Sequence, residues 1–227
     1  MIITEPFLCY HSRRLCSNVT CEKNVVVYTQ GLWIFILSSI ILVGIILYSL
    51  QFRHSKTGQA FFVLMACAAI WTIGFVFETA AVDLSAKILL AKLEFIGITF
   101  IPLAWVMLVM NFIGKPLSKW TLRALAVIPV LTNVIIWTNS LHHWFMGNPF
   151  LQTASTPFPI LYLDYQFWFT FIHAPMSYLY LLVAIIILMS QFREMDAVYR
   201  TQSILLMIAI ILPLTADILY VLGVFTT

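Results

Sequence analysis

Ionisable side chains are rare in this 227-residue chain, and those inside its apolar stretches carry its chemistry. They are Glu78, Glu94, His173 and Asp217, with Lys92 beside Glu94. A carboxylate at the centre of a bilayer costs about 3 kcal/mol or more, so each must face protein, a watery cavity or the interface. None forms a nucleophile–base pattern such as Gly-x-Ser-x-Gly, and no His-x-x-x-His pair is present, so an enzyme is not indicated. Grouped carboxylates and an imidazole in an apolar bundle instead suit binding of a small polar ligand. Glu94, Ile98, Ile101, Trp105 and Leu108 fall on one helical face with Gly97 at its edge. Trp71 and Glu78 are seven residues apart and share a face, Trp71 lying ~10 Å further along the helix. Glu94, Glu78, His173, Asp217, Trp71 and Trp105 are therefore the candidate ligand-binding residues. The alternative is that each polar group sits separately in the headgroup zone.

The elements that position them are apolar spans. Hydrophobic residues make up 62% of the chain and charged residues 9%, against about 25% charged in a soluble domain. The composition defines an integral membrane protein of the all-α class, a polytopic helix bundle. Spans are expected at about 25–50, 58–79, 88–112, 122–140, 167–191 and 202–223, each near the roughly 20 residues that cross the hydrocarbon core. Strand-like alternation is absent, which argues against a barrel. The span from Ala91 to Gly114 carries Glu94, and the others are expected to pack around it. Gly97 would let a neighbouring backbone come close. Pro102, Pro129, Pro175 and Pro213 each interrupt a helical hydrogen-bond ladder.

Residues 1–24 form a polar tail with Cys9, Cys16 and Cys21, and residues 25–227 form the bundle. The cysteine spacing does not match a zinc site, and adjacent His142 and His143 point apart on a helix, so no metal or cofactor is indicated. A net charge of +3 gives no sign of nucleic-acid binding. Nine of the twelve Lys and Arg lie outside the tail. Arg53 and Lys56 mark the first loop, Lys115 and Lys119 the third, Arg193 and Arg200 the fifth. Asp83 and Lys87 fall in the second loop, and the fourth has no Lys or Arg. Basic loops favour the cytoplasm, so the N-terminus is expected outside a plasma membrane that the chain crosses several times. The polar residues then gather in the outer half of the bundle.

These landmarks resemble the N-terminal seven-span sensor region at the head of bacterial histidine kinases and related signalling proteins. The resemblance rests on Trp71, Gly74-Phe75 and Glu78, then Leu93-Glu94-Phe95-Ile96-Gly97, Pro102 and Trp105. It continues through Gly114, Pro129, Thr138-Asn139 and His142-His143. Tyr199-Arg200, Gln202, Pro213, Tyr220 and Gly223 complete it, over about residues 28–223. The tail is longer than that pattern expects, and six spans are present where the family has seven. The resemblance implies a sensory input domain without a catalytic module of its own. The seventh span and a cytoplasmic signalling module are expected beyond Thr227. The family's ligands are mostly undefined, so the resemblance names no molecule. The partners expected are an unidentified small-molecule or lipid ligand, membrane lipids, and a second copy of the chain, a homodimer, as one oligomeric option. A transporter or permease fragment is the alternative, but neither an internal repeat nor a mid-depth charge supports it.

The topology is directly testable. Single cysteines placed at 55 and 117, in a background lacking Cys9, Cys16 and Cys21, are expected to resist an impermeant thiol reagent in intact cells. Rapid labelling at either position would reverse the orientation.

Overall fold

The computed structural model describes residues 32–152 and 160–221, with the side chains at 216–218, 220 and 221 outside that description. The polar tail with its three cysteines, and the start of the first span, also lie outside the described residues. Six helices are long and apolar enough to cross a membrane. They are α1 (Leu32–Ser49), α2 (Lys56–Ala80), α3 (Leu84–Phe112), α4 (Lys119–Trp137), α6 (Ala174–Gln191) and α7 (Ala197–Val221), with the short α5 (Asn139–His142) after α4. The all-α membrane bundle expected from composition is what forms.

Local chemistry fixes where the helices begin. Ser55 Oγ accepts from the Gly58 N–H at 3.0 Å, Asp83 Oδ2 from Ala86 N–H at 3.3 Å, and Ser118 Oγ from Thr121 N–H at 3.1 Å. Each is an N-cap that satisfies an otherwise orphaned backbone donor. The caps start α2, α3 and α4 at Lys56, Leu84 and Lys119, two to four residues earlier than hydropathy alone suggests. The shift matters most at α3, because it moves Lys87 out of the second loop and into the helix. At the other end of α3, Gly114 adopts φ 74°. Its N–H donates to Asn111 O at 3.1 Å and the Lys115 N–H to Met110 O at 2.9 Å. This double closure is a Schellman cap, and glycine reaches its left-handed conformation at little cost.

The fourth loop is not purely helical or irregular. β1 (Phe150–Gln152) and β2 (Ile160–Tyr162) pair antiparallel, with Leu151 opposite Leu161. Beyond it, Phe169–His173 forms a π turn in which the Ala174 N–H donates to Phe169 O. Pro175 explains the disturbance: it has no N–H for the α-ladder, and its ring crowds the preceding turn.

α3 is the hub. Twelve of its 29 residues are buried, against five in α2, three in α4 and three in α6. It packs along α2, α4 and α6, while α1 lies on α2 and α7 on α6. Ala60 and Leu64 meet Ala104 and Leu108 between α2 and α3. Leu103, Val106 and Val109 meet Tyr180, Ala184, Leu188 and Ile210 between α3, α6 and α7. The exposed apolar side chains of α1, such as Ile40 and Leu47, are at home in lipid and need no partner.

Gly97 sets the α2–α3 distance. A Cβ there would collide with the Cys67 carbonyl oxygen and lie 3.1 Å from the Trp71 nitrogen. Both are helix backbone and cannot rotate away. Gly97→Val is therefore expected to destabilise the bundle by about 1–3 kcal/mol through overpacking. Gly44→Ala, where a Cβ meets nothing within 4 Å, is expected to change stability by less than about 0.5 kcal/mol. Thermal melts of both variants in detergent check the contrast.

Candidate functional site

Because α3 begins at Leu84, Lys87 sits in its first turn, facing the C-terminal end of α2. Only 1% of Lys87 is exposed. Its Nζ donates to Glu78 O at 2.5 Å, to Glu78 Oε1 at 3.1 Å and to Thr79 O at 3.5 Å. The contact with Glu78 Oε1 is an ion pair. The ammonium thus rests on one carboxylate and two carbonyls from the last turn of α2, where helical carbonyls lack intrahelical partners and the helix dipole is negative.

Glu94 lies two turns further along α3 and is 7% exposed. Its Cγ rests against Gly74 of α2, where any Cβ would collide with it. Glu94 feels the charges of both Glu78 and Lys87. Its Oε1 is buried and finds no hydrogen-bond donor among the described residues. Such an orphan normally costs free energy, and in a native structure it marks a strained or functional group. Two carboxyl groups and one ammonium therefore share the contact between the C-terminal part of α2 and the N-terminal part of α3.

His173 belongs to the other flank of α3. It is 5% exposed and sits among aromatic rings, with centroids 6.5 Å from Phe95, 6.2 Å from Phe145 and 5.6 Å from Phe169. Phe95, the residue after Glu94, also packs edge-on against Phe145, with ring centroids 4.9 Å apart. Phe145 and Met146, fully buried, reach this cluster from the fourth loop. Asn139 holds them there. Its Oδ1 accepts from Phe145 N–H at 3.0 Å and Met146 N–H at 3.2 Å, and its Nδ2 donates to Met146 O at 2.8 Å.

The structure thus brings Glu94 near Glu78 and Lys87 and places His173 in the aromatic cluster on Phe95. Trp71 is 45% exposed on α2, although its backbone abuts Gly97. Trp105 packs at the junction of the two inner core clusters, eleven residues and so ~16 Å along α3 from Glu94. Asp217 lies on α7, and its side chain is outside the described residues. Two open recesses are found elsewhere, one beside Gly114 and Tyr199 and one between α3 and α4, and neither reaches Glu94, Glu78 or His173. Among the described residues no group of three or more His, Cys, Asp and Glu could hold a metal ion.

Sequence reading missed Lys87, and the signal was Asp83 as an N-cap three residues before Ala86. It also missed uncharged polar residues that tie α4 in place. Asn133 Nδ2 donates to Thr99 Oγ1 at 2.6 Å, Trp168 Nε1 to Thr132 Oγ1 at 3.1 Å, and Tyr180 Oη to Leu125 O at 2.9 Å. Interhelical hydrogen bonds of this kind hold membrane helices together.

The family described as the N-terminal 7TM region of histidine kinase matches residues 34–227. The chain belongs to that family and is a multi-pass membrane protein. No curated protein matches it, and no solved structure does.

Asn139→Ala would leave the buried N–H groups of Phe145 and Met146 without an acceptor. A loss of about 2–3 kcal/mol is expected. Hydrogen exchange at those two amides should accelerate while exchange in the inner half of α3 stays slow.

Proposed function

We propose that this chain is the membrane-embedded input domain of a larger signalling protein. It senses a signal at the outer side of the membrane and passes it to a cytoplasmic module beyond this chain. Membership of the histidine-kinase 7TM family supports the sensory role, and the Lys and Arg content of the odd loops supports the orientation. The observation that carries the site assignment is the buried Glu94 carboxyl on the hub helix, whose Oε1 has no donor among the described residues, beside the Lys87–Glu78 pair. A buried acceptor left without a donor at a helix contact makes that contact sensitive to anything that completes it. A ligand shifts such an equilibrium only through differential affinity for its two arrangements. Glu78 and Glu94 would meet the signal, and α3 would carry the change to α6 and α7.

His173, Trp71, Trp105 and Asp217 remain part of the proposed input region with less direct roles. His173 would report on the fourth-loop plug formed by Phe145 and Met146. Trp105 would transmit movement of α3 to the inner core.

Glu94→Gln keeps the shape of the side chain and removes its charge. In the full-length parent protein it is expected to leave membrane expression unchanged and to shift the stimulus midpoint about fivefold or more, the lower end of ordinary coupling. Glu94→Leu is expected to act more strongly. Kinase output from Glu94→Gln indistinguishable from wild type would remove Glu94 from the input site.

A further inference from the structure

Lys87 behaves as a tethered ligand. Its ammonium has three N–H donors, and three oxygens receive them: Glu78 O, Glu78 Oε1 and Thr79 O. The nest is therefore shaped for a primary ammonium, and one from the protein's own chain fills it. Glu78 and Glu94 bring two carboxyl groups to one ammonium, which pairs with Glu78. Glu94 Oε1, buried and without a donor among the described residues, is where a further N–H donor would fit.

Lys87 and Glu94 are seven residues apart and so on one face of α3. Two turns separate them by ~10 Å along the axis, a span that an extended lysine and glutamate close between them. Here the three donors of Lys87 are all taken by Glu78 and Thr79, and none is left for Glu94. A second ammonium would let both carboxyl groups be satisfied.

We propose that the Glu78–Thr79 nest binds a small primary ammonium ligand from the outer side, which displaces Lys87 to Glu94. This rests on the reading of the Glu94 contact as the input site and names the chemical class of its ligand. Bound, the cluster holds two cations and two carboxylates, and Glu94 loses its orphan oxygen. Lys87 leaving α2 for a partner on its own helix removes the one ion pair between α2 and α3 seen among the described residues. The ligand thereby loosens the α2–α3 contact at its outer end.

The test uses the full chain in lipid nanodiscs with methylammonium chloride, and tetramethylammonium chloride at equal concentration as the control without N–H donors. Methylammonium is expected to raise the melting temperature by several degrees in a saturable way, and tetramethylammonium is not. Glu94→Gln is expected to weaken the methylammonium half-saturation at least tenfold. Lys87→Met, which removes the tethered competitor, is expected to tighten it at least threefold where the variant folds. No saturable shift, an equal shift with tetramethylammonium, or an unchanged Glu94→Gln response would each overturn the proposal. Those results would leave untouched the signalling effect of Glu94→Gln in the parent protein, which tests the input role separately.

Discussion

The bundle depends on two helices lying closer than ordinary side chains allow. Gly97 of α3 faces the Cys67 carbonyl and Trp71 nitrogen of α2, and Gly74 of α2 faces the Glu94 side chain. In lipid no hydrophobic force draws helices together, so association rests on such close packing and on hydrogen bonds. The same closeness encloses the Glu94 carboxylate. Glycine at 74 leaves room for the Cγ but brings no donor, and the α2 backbone groups opposite are spent within their own helix. Tight packing and an unsatisfied carboxyl oxygen are thus two results of one contact.

The two sides of α3 are held by different physics. Towards α4 and α6 it meets a dry core of Leu103, Val106, Val109, Ala184 and Leu188, supported by the Asn133–Thr99 hydrogen bond. α4 in turn is tied towards α6 by the hydrogen bonds from Trp168 and Tyr180. Those contacts are neutral and satisfied, apart from the buried Asn133 Oδ1. Towards the C-terminal end of α2 it meets the Lys87–Glu78 pair and a Glu94 oxygen without a donor among the described residues. Breaking a buried pair costs several kcal/mol because it leaves one charge uncompensated, a cost that an exchange of partners avoids. Rearrangement is therefore easier on the α2 side, and α3 with α4 and α6 forms the frame against which it occurs.

Much of this was legible in the sequence. The spans followed from hydropathy, and α3 as hub followed from a carboxylate in an apolar helix with Gly97 beside it. That His173 stands against the rings of Phe95, Phe145 and Phe169 while Glu94 stands against Gly74 of α2 was not legible. Shared depth does not fix azimuth: residues 94 and 95 point about 100° apart, enough to send Glu94 to α2 and Phe95 to His173. Lys87 was lost because hydropathy places a helix boundary where apolar residues stop, whereas the N-cap at Asp83 places it where backbone donors are satisfied. Thr99, Thr132 and Asn133 were lost because attention fell on ionisable groups, while amides and hydroxyls serve equally well as glue in lipid. The hairpin and the Asn139 clamp depend on contacts distant in sequence, and a one-dimensional pattern does not display them.

On the proposed input role, the prolines offer a route away from Glu94. Pro102 lies ten residues from the C-terminal end of α3 and Pro129 ten from the N-terminal end of α4, so each interrupts its ladder ~15 Å from that end. Glu94 lies beyond that level, eighteen residues and ~27 Å from the C-terminal end of α3. A helix missing a hydrogen bond bends there at lower cost than elsewhere. The outer part of α3, carrying Glu94, Phe95 and Gly97, can therefore tilt against α2 without first unpacking Val106 and Val109 below. Trp105 sits just inward of the break and touches both inner clusters. It is the side chain through which such a tilt would reach α2 and α6 together.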